Sequence, residues 1–123
     1  MKLHLTLPDG TNMFTGYGDG YVEVNRQRCE QSLVVLPDRM LSDWSAGGFA
    51  GLSAADFEAL AALAPEILLL GTGPVLRFPA PAVLRPLIEA GIGAEVMDTQ
   101  AACRTYNILV AEGRRVAAAL LLS

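Results

Sequence analysis

Two short stretches hold the residue types that could do chemistry. One is Gly71-Thr72-Gly73 with Arg77 four positions on; the other is Asp98-Thr99 with Arg104 five positions beyond Thr99. Glycines let a backbone close on a bound oxyanion, threonine hydroxyls can donate to it, and guanidinium groups supply charge. If Asp98 or Thr99 starts a helix, its first N–H groups and positive dipole end add a further anion-binding element. Gly71, Thr72, Gly73, Arg77, Asp98, Thr99 and Arg104 therefore compose a candidate anion or nucleotide pocket. Against it, a dinucleotide fingerprint needs GxGxxG opening directly into a helix, whereas Gly73 is followed by Pro74 and an extended segment, and the GxxxxGK(S/T) of a phosphate loop is absent. Asp98 would also repel a phosphate. A tight turn is the favoured reading of the glycines.

Acid–base and nucleophilic chemistry have little to draw on. His4 is the only histidine, and it sits in an alternating strand whose outward positions are polar, so any histidine-based dyad would have to use it. Cys103 falls near the first turn of the last helix, where the dipole can lower a thiol pKa, yet beside Ala102 it reads first as a small buried hydrophobe. Two cysteines and one histidine make no zinc-site cluster. Glu66, Glu89, Glu95, Asp98 and Glu112 belong to separate element ends. The expectation is a protein without catalytic residues, metal or cofactor.

The elements that must position these residues follow from pattern. Ile67-Leu68-Leu69-Leu70 is an unbroken apolar run, as in a strand covered on both faces, so helices should lie above and below it. Leu3, Leu5 and Leu7 alternate and predict a short opening strand; Met13 to Gly20, punctuated by glycines, reads as irregular. Tyr21 to Val24 and Arg28 to Leu36 predict an antiparallel hairpin turning at Asn25-Arg26-Gln27. Ser53 with Asp56 predicts a capped helix over Ala54 to Leu63, with Phe57, Leu60, Ala61 and Ala64 inward and Pro65 at its end. Val75 to Phe78 reads as a brief extended piece. A helix from Pro81 to Ala90 follows, in which Pro86 is a misfit that should kink the axis. Gly93 to Met97 is a strand, Asp98 or Thr99 caps a helix running to Glu112 with Ala102, Tyr106 and Leu109 inward, and Val116 to Leu122 closes as a buried strand. Alternating helices and saturated strands imply right-handed parallel crossovers. The expected fold is α/β: one three-layer domain over residues 1–123, with a mixed central sheet joined by the N-terminal antiparallel hairpin and helices on both faces.

Composition narrows the classes of partner. A 123-residue chain with 52% hydrophobic and 18% charged residues is large enough for one packed core and too apolar for a disordered chain. The net charge of −4 and the scattered nine Lys and Arg residues leave little for phosphate neutralisation, so nucleic acid and anionic membrane surfaces are not expected partners. The alternating N-terminus does not read as an export signal, and the longest apolar run falls short of the roughly 20 residues that span a bilayer. A cytoplasmic location with Cys29 and Cys103 as reduced thiols is expected. Trp44 and Phe49, beside Gly47-Gly48, either cover one end of the core or form an exposed aromatic patch for a protein partner. An uncovered hairpin strand could pair with its copy in a homodimer.

Three blocks together carry a resemblance: Pro65 to Gly73 with Arg77-Phe78-Pro79; Gly91 to Thr99; and Ala101 to Leu109 with Glu112-Gly113-Arg114. With Ser32 to Val35 and Asp43-Trp44, they resemble a small-domain family of largely unknown function that includes a mitochondrial respiratory complex I assembly factor and an adipogenesis-associated protein. The resemblance implies a three-layer domain with a mixed central sheet, and a non-catalytic role exercised through protein contacts, as an assembly or chaperone-like accessory. It implies no catalytic residues.

Overall fold

The computed structural model describes residues 7–45 and 47–123. The opening strand expected around Leu3 and Leu5, and His4 within it, lie outside the described residues.

A five-stranded mixed sheet forms the centre. It contains β4 (Leu33–Leu36), β5 (Arg39–Ser42), β6 (Ile67–Thr72), β7 (Gly93–Met97) and β8 (Val116–Leu121) in the order β5-β4-β8-β6-β7. β6 lies between β7 and β8, parallel to both, while β4 runs antiparallel to β8 and β5. Because successive side chains on a strand point to opposite faces, the run Ile67 to Leu70 feeds two cores at once. Leu69, with Ala118, Leu120 and Val35, packs under α3 (Thr99–Ala111). Leu68 and Leu70, with Ala117, Ala119 and Leu121, pack under α1 (Ala54–Ala61) and α2 (Arg85–Glu89). A strand buried on both faces needs no polar alternation, and β6 shows none.

The N-terminal part departs from expectation. The hairpin does not add its first strands to the central sheet: β1 (Phe14–Gly18), β2 (Tyr21–Val24) and β3 (Gln27–Cys29) form a separate antiparallel sheet, and only Leu33–Leu36 joins the central one. The glycines that made 13–20 look irregular serve a strand. Gly18 pairs with Tyr21, and a Cβ at Gly18 would fall 2.4 Å from the Tyr21 ring, so the missing side chain makes room for the aromatic one. Asn25 and Arg26, both at positive φ, make the two-residue β2–β3 turn. Pro37-Asp38 makes another such link, between β4 and β5, a strand with no clear sequence period.

Capping follows the local chemistry. Asp56 Oδ2 accepts the Ser53 N–H at 2.9 Å and starts α1, which stops at Ala61 because Ala64 turns to positive φ ahead of Pro65. The expected kinked helix from Pro81 is instead a 3-10 turn, Pro81–Leu84, followed by α2. Pro86 then occupies the second position of α2, where a missing N–H leaves no hydrogen bond unmade and no kink is required.

Candidate functional site

β6 and β7 end at the same edge of the sheet, the side where open α/β folds usually place ligands. The two candidate stretches therefore meet there. Thr99 donates its N–H to the Gly73 carbonyl at 2.9 Å, and Gly73 returns its N–H to Thr99 Oγ1 at 2.8 Å. The same hydroxyl donates to the Leu121 carbonyl, so Thr99 ties together the ends of β6 and β8 and the start of α3. Gly71 permits the approach: a Cβ there would stand 3.0 Å from Thr99 Cα and 2.8 Å from Leu120 Cδ2.

Thr72, fully buried, shapes the loop that follows. Its hydroxyl donates to the Val75 carbonyl at 2.7 Å and accepts the Arg77 N–H at 3.1 Å. Arg77 folds back over this turn. Its Nη2 donates to the carbonyls of Thr72 at 2.6 Å and Ser123 at 3.1 Å, and its guanidinium carbon lies 4.5 Å from the centre of the Phe49 ring, a cation–π distance. The start of α3 is likewise occupied, since Asp98 Oδ1 accepts the Ala101 N–H at 2.9 Å. Arg104 is directed elsewhere, with Nη1 donating to the Tyr17 hydroxyl at 2.9 Å on β1. Six of the seven candidate ligand residues thus converge: Gly73 bonds Thr99 and Arg77 bonds Thr72, while Asp98 and part of Thr99 and Arg77 are taken up by Ala101, Leu121 and Ser123, and Arg77 Nε is buried without a partner. A cavity of about 220 Å³ remains alongside, between the Gly18–Tyr21 turn and Gly73, Pro74 and Thr99.

Trp44 is not displayed. It is 8% exposed and meets Phe57 edge to face at 5.8 Å, covering one end of the core on the α1 side, while Phe49 is half-buried under Arg77. Phe57 on α1 and the Arg77 guanidinium are the neighbours of Trp44 and Phe49, partners that local sequence does not reveal. Cys103 is buried among the α3 core residues, and desolvation pushes its thiol pKa up to about 12, against the pull of the adjacent Arg104 charge. A helix N-terminus does not offset that burial, so the thiol stays protonated at neutral pH. Cys29 is less buried, and its pKa is also raised by desolvation.

One feature went unread in the sequence. Val75, Leu76 and Phe78 are 63%, 48% and 72% exposed, three large apolar side chains within four residues. The signal available for it was composition: between Ile67 and Leu84, Arg77 is the sole charged residue, and Pro74, Pro79 and Pro81 exclude a continuous strand.

A mixed five-stranded sheet with α3 on one face, α1 and α2 on the other, and a small antiparallel sheet beside α3 is similar to solved structures that include one described as an Mth938-like domain. A Bordetella pertussis protein solved by NMR and described by that term superposes with a TM-score of 0.80 at 40% identity, covering 98% of this chain and 92% of that one. The chain belongs to the family described as a protein of unknown function (DUF498/DUF598), whose model matches residues 14–121. A crystal structure from Bordetella parapertussis is similar with a TM-score of 0.86 and 46% identity, covering 94% of this chain and all (100%) of that one. A curated relative, NADH dehydrogenase (ubiquinone) 1 alpha subcomplex assembly factor 3 of Bos taurus, is 36% identical over 104 residues, 83% of this chain. The chain spans about half, 55%, of that relative's length.

Proposed function

We propose that the domain is a non-catalytic protein-interaction module, an assembly or chaperone-like accessory resembling the complex I assembly factors, working in the cytoplasm. The observation that carries this reading is that the polar side chains of the loop are bonded within the chain. Thr72 and Thr99 each donate and accept within the chain, Arg77 holds two backbone carbonyls, and Asp98 caps its own helix. These groups build a shape and leave no acid–base pair facing a substrate. The assembly-factor names of the curated relatives support the same direction. Isolation of the tagged protein at native abundance should bring down a defined partner, and fractionation should place both in the cytosol. Recovery of nothing above background sinks the reading.

A second reading rests on the cavity beside Gly73 and Thr99. In it the domain binds a small molecule or anion using Gly71, Thr72, Gly73, Arg77, Asp98, Thr99 and Arg104. Amide shifts during titration with nucleotides, phosphate and common metabolites test it. Shifts clustered on these residues support it, and shifts elsewhere, or none at millimolar ligand, reject it.

A further inference from the structure

We propose that Asp43–Ser45 and Gly47–Gly51 move together as a flap, hung on the side chains of Trp44 and Phe49, that swings away from the domain while both sheets stay folded. Ser42 at the end of β5 and Leu52 ahead of α1 are its hinges. The inference stands apart from the protein-interaction reading above, and so does its test.

The first observation is how these residues are attached. Among the described residues, every hydrogen bond they make ends on the segment itself or on its hinge Leu52. Gly48 donates its N–H to the Ser45 carbonyl at 3.0 Å, and the Ser45 hydroxyl donates to the Gly48 carbonyl at 3.3 Å. The N–H groups of Gly51 and Leu52 reach the carbonyls of Gly48 at 3.1 Å and Phe49 at 3.2 Å. None of these bonds has to break when the segment moves as a unit. Attachment to the body falls to two rings: Trp44 meets Phe57 of α1 edge to face at 5.8 Å, and Phe49 lies 4.5 Å under the Arg77 guanidinium.

The second observation is that the closed position carries costs that opening removes. Asp43 and Ser45, on either side of Trp44, sit at φ 59° and 53°, the left-handed region that side chains disfavour. Gly48, at φ 68° and ψ −162°, occupies a region open essentially to glycine. The Trp44 indole N–H is buried with no hydrogen-bond partner, so its lost hydration is not replaced. A cavity of about 430 Å³ lies between Trp44, Ser45 and Gly48 on the segment and Gly20, Leu122 and Ser123 on the body, which brings water close to that N–H once the segment shifts. Strain and the orphaned donor oppose the burial of the two rings. The sheets carry ladder hydrogen bonds instead, so the flap opens at a smaller free-energy cost than they do. Opening bares Phe57, fully buried in the closed domain, at the end of the core that Trp44 covers.

Trp44 is the only tryptophan, so its indole proton is a single reporter on the flap. Native-state hydrogen exchange, followed by NMR in rising sub-denaturing urea, should show that proton opening at least about a hundredfold more often than the Ala118 and Ala119 amides of β8, with little dependence on urea. Phe49→Ala removes the other ring, whose contacts are lost both in the open flap and in the unfolded chain. It should therefore speed the indole proton and the β8 amides by a similar factor, about tenfold; Phe49→Leu tests the same linkage if the alanine variant does not fold. An indole proton with the opening frequency and urea slope of β8 means that the segment leaves only when the whole domain unfolds, and the flap is wrong. Faster β8 exchange with the indole proton unchanged means that Trp44 moves without Phe49, and the flap is wrong again.

Discussion

Asn107 holds Phe14 by both of its backbone groups: Nδ2 donates to the Phe14 carbonyl at 2.8 Å, and Oδ1 accepts the Phe14 N–H at 2.9 Å. A side-chain amide thereby does what a neighbouring strand would do for the outer edge of β1. One turn of α3 reinforces it, with the Tyr106 ring against Phe14 at 5.0 Å and its hydroxyl donating to the Asn12 carbonyl at 2.9 Å. The small sheet is docked on α3 through these contacts, and its first strand is closed at that point to pairing with another chain.

Replacing Asn107 by Ala should destabilise the protein by about 1–3 kcal/mol, because it strands two backbone groups that the amide now satisfies. Urea denaturation measures the loss. Hydrogen exchange adds a sharper check, since protection should fall at Phe14 and its β1 neighbours while β6 and β8 keep theirs.

Gly71 and Gly93 separate crowding from propensity. A Cβ at Gly71 would press on Thr99 Cα at 3.0 Å, whereas at Gly93 it would meet Ile67 Cγ1 at an ordinary 3.7 Å. Gly71→Ala should therefore cost about 1–3 kcal/mol through overpacking. Gly93→Ala, in β7, should change stability by about 0.5 kcal/mol or less. Equal costs would mean that the approach of α3 to β6 is not what Gly71 serves.

Thr99 links Gly73 and Leu121 through one hydroxyl, 7% of the residue being exposed. Thr99→Val keeps the volume and orphans a buried donor and a buried acceptor, at about 1–3 kcal/mol each. Thr99→Ser should restore most of the loss, because the hydroxyl and not the methyl makes the link. Thermal denaturation of the pair decides the matter.

Burial raises the Cys103 thiol pKa from an ordinary 9.0 to about 12, so the native state binds this proton more tightly than the unfolded chain. Below pH 9 both states are protonated and the thiol contributes no pH dependence. Between the two values only the unfolded chain releases the proton, and stability falls as pH rises. Cys103→Ala should remove that part of the alkaline decline. In native protein at pH 8 a maleimide should label Cys29 well before Cys103, which should react only on unfolding.

Local chemistry made much of the fold legible. The run at Ile67–Leu70, the Ser53–Asp56 cap and a cap at the Asp98-Thr99 pair rest on residues a few positions apart, and each appears where its pattern placed it, while the turn expected over Asn25-Arg26-Gln27 is Asn25-Arg26 alone, Gln27 already belonging to β3. Gly16 and Gly18 misled because their meaning lies across the strand pair, in the Glu23 and Tyr21 side chains they accommodate. For the candidate site, sequence found that Gly71–Gly73 and Asp98-Thr99 share a strand edge. It did not reveal that Gly73 and Thr99 bond each other, that Thr99 also holds the Leu121 carbonyl, that Thr72 holds Val75 and Arg77, and that Asp98 is taken up by the Ala101 N–H.

The sequence by itself therefore determined the buried β6, the helix–strand alternation and the family, since periodicity, capping and motif spacing act along the chain. Tertiary structure alone decided that the N-terminal strands form their own sheet, that Trp44 turns inward against Phe57, and that Val75, Leu76 and Phe78 face solvent. The reason is physical: burial depends on partners far away in the chain, as with Asn107 and Phe14, 93 positions apart, and an apolar residue carries no local mark of which surface will cover it.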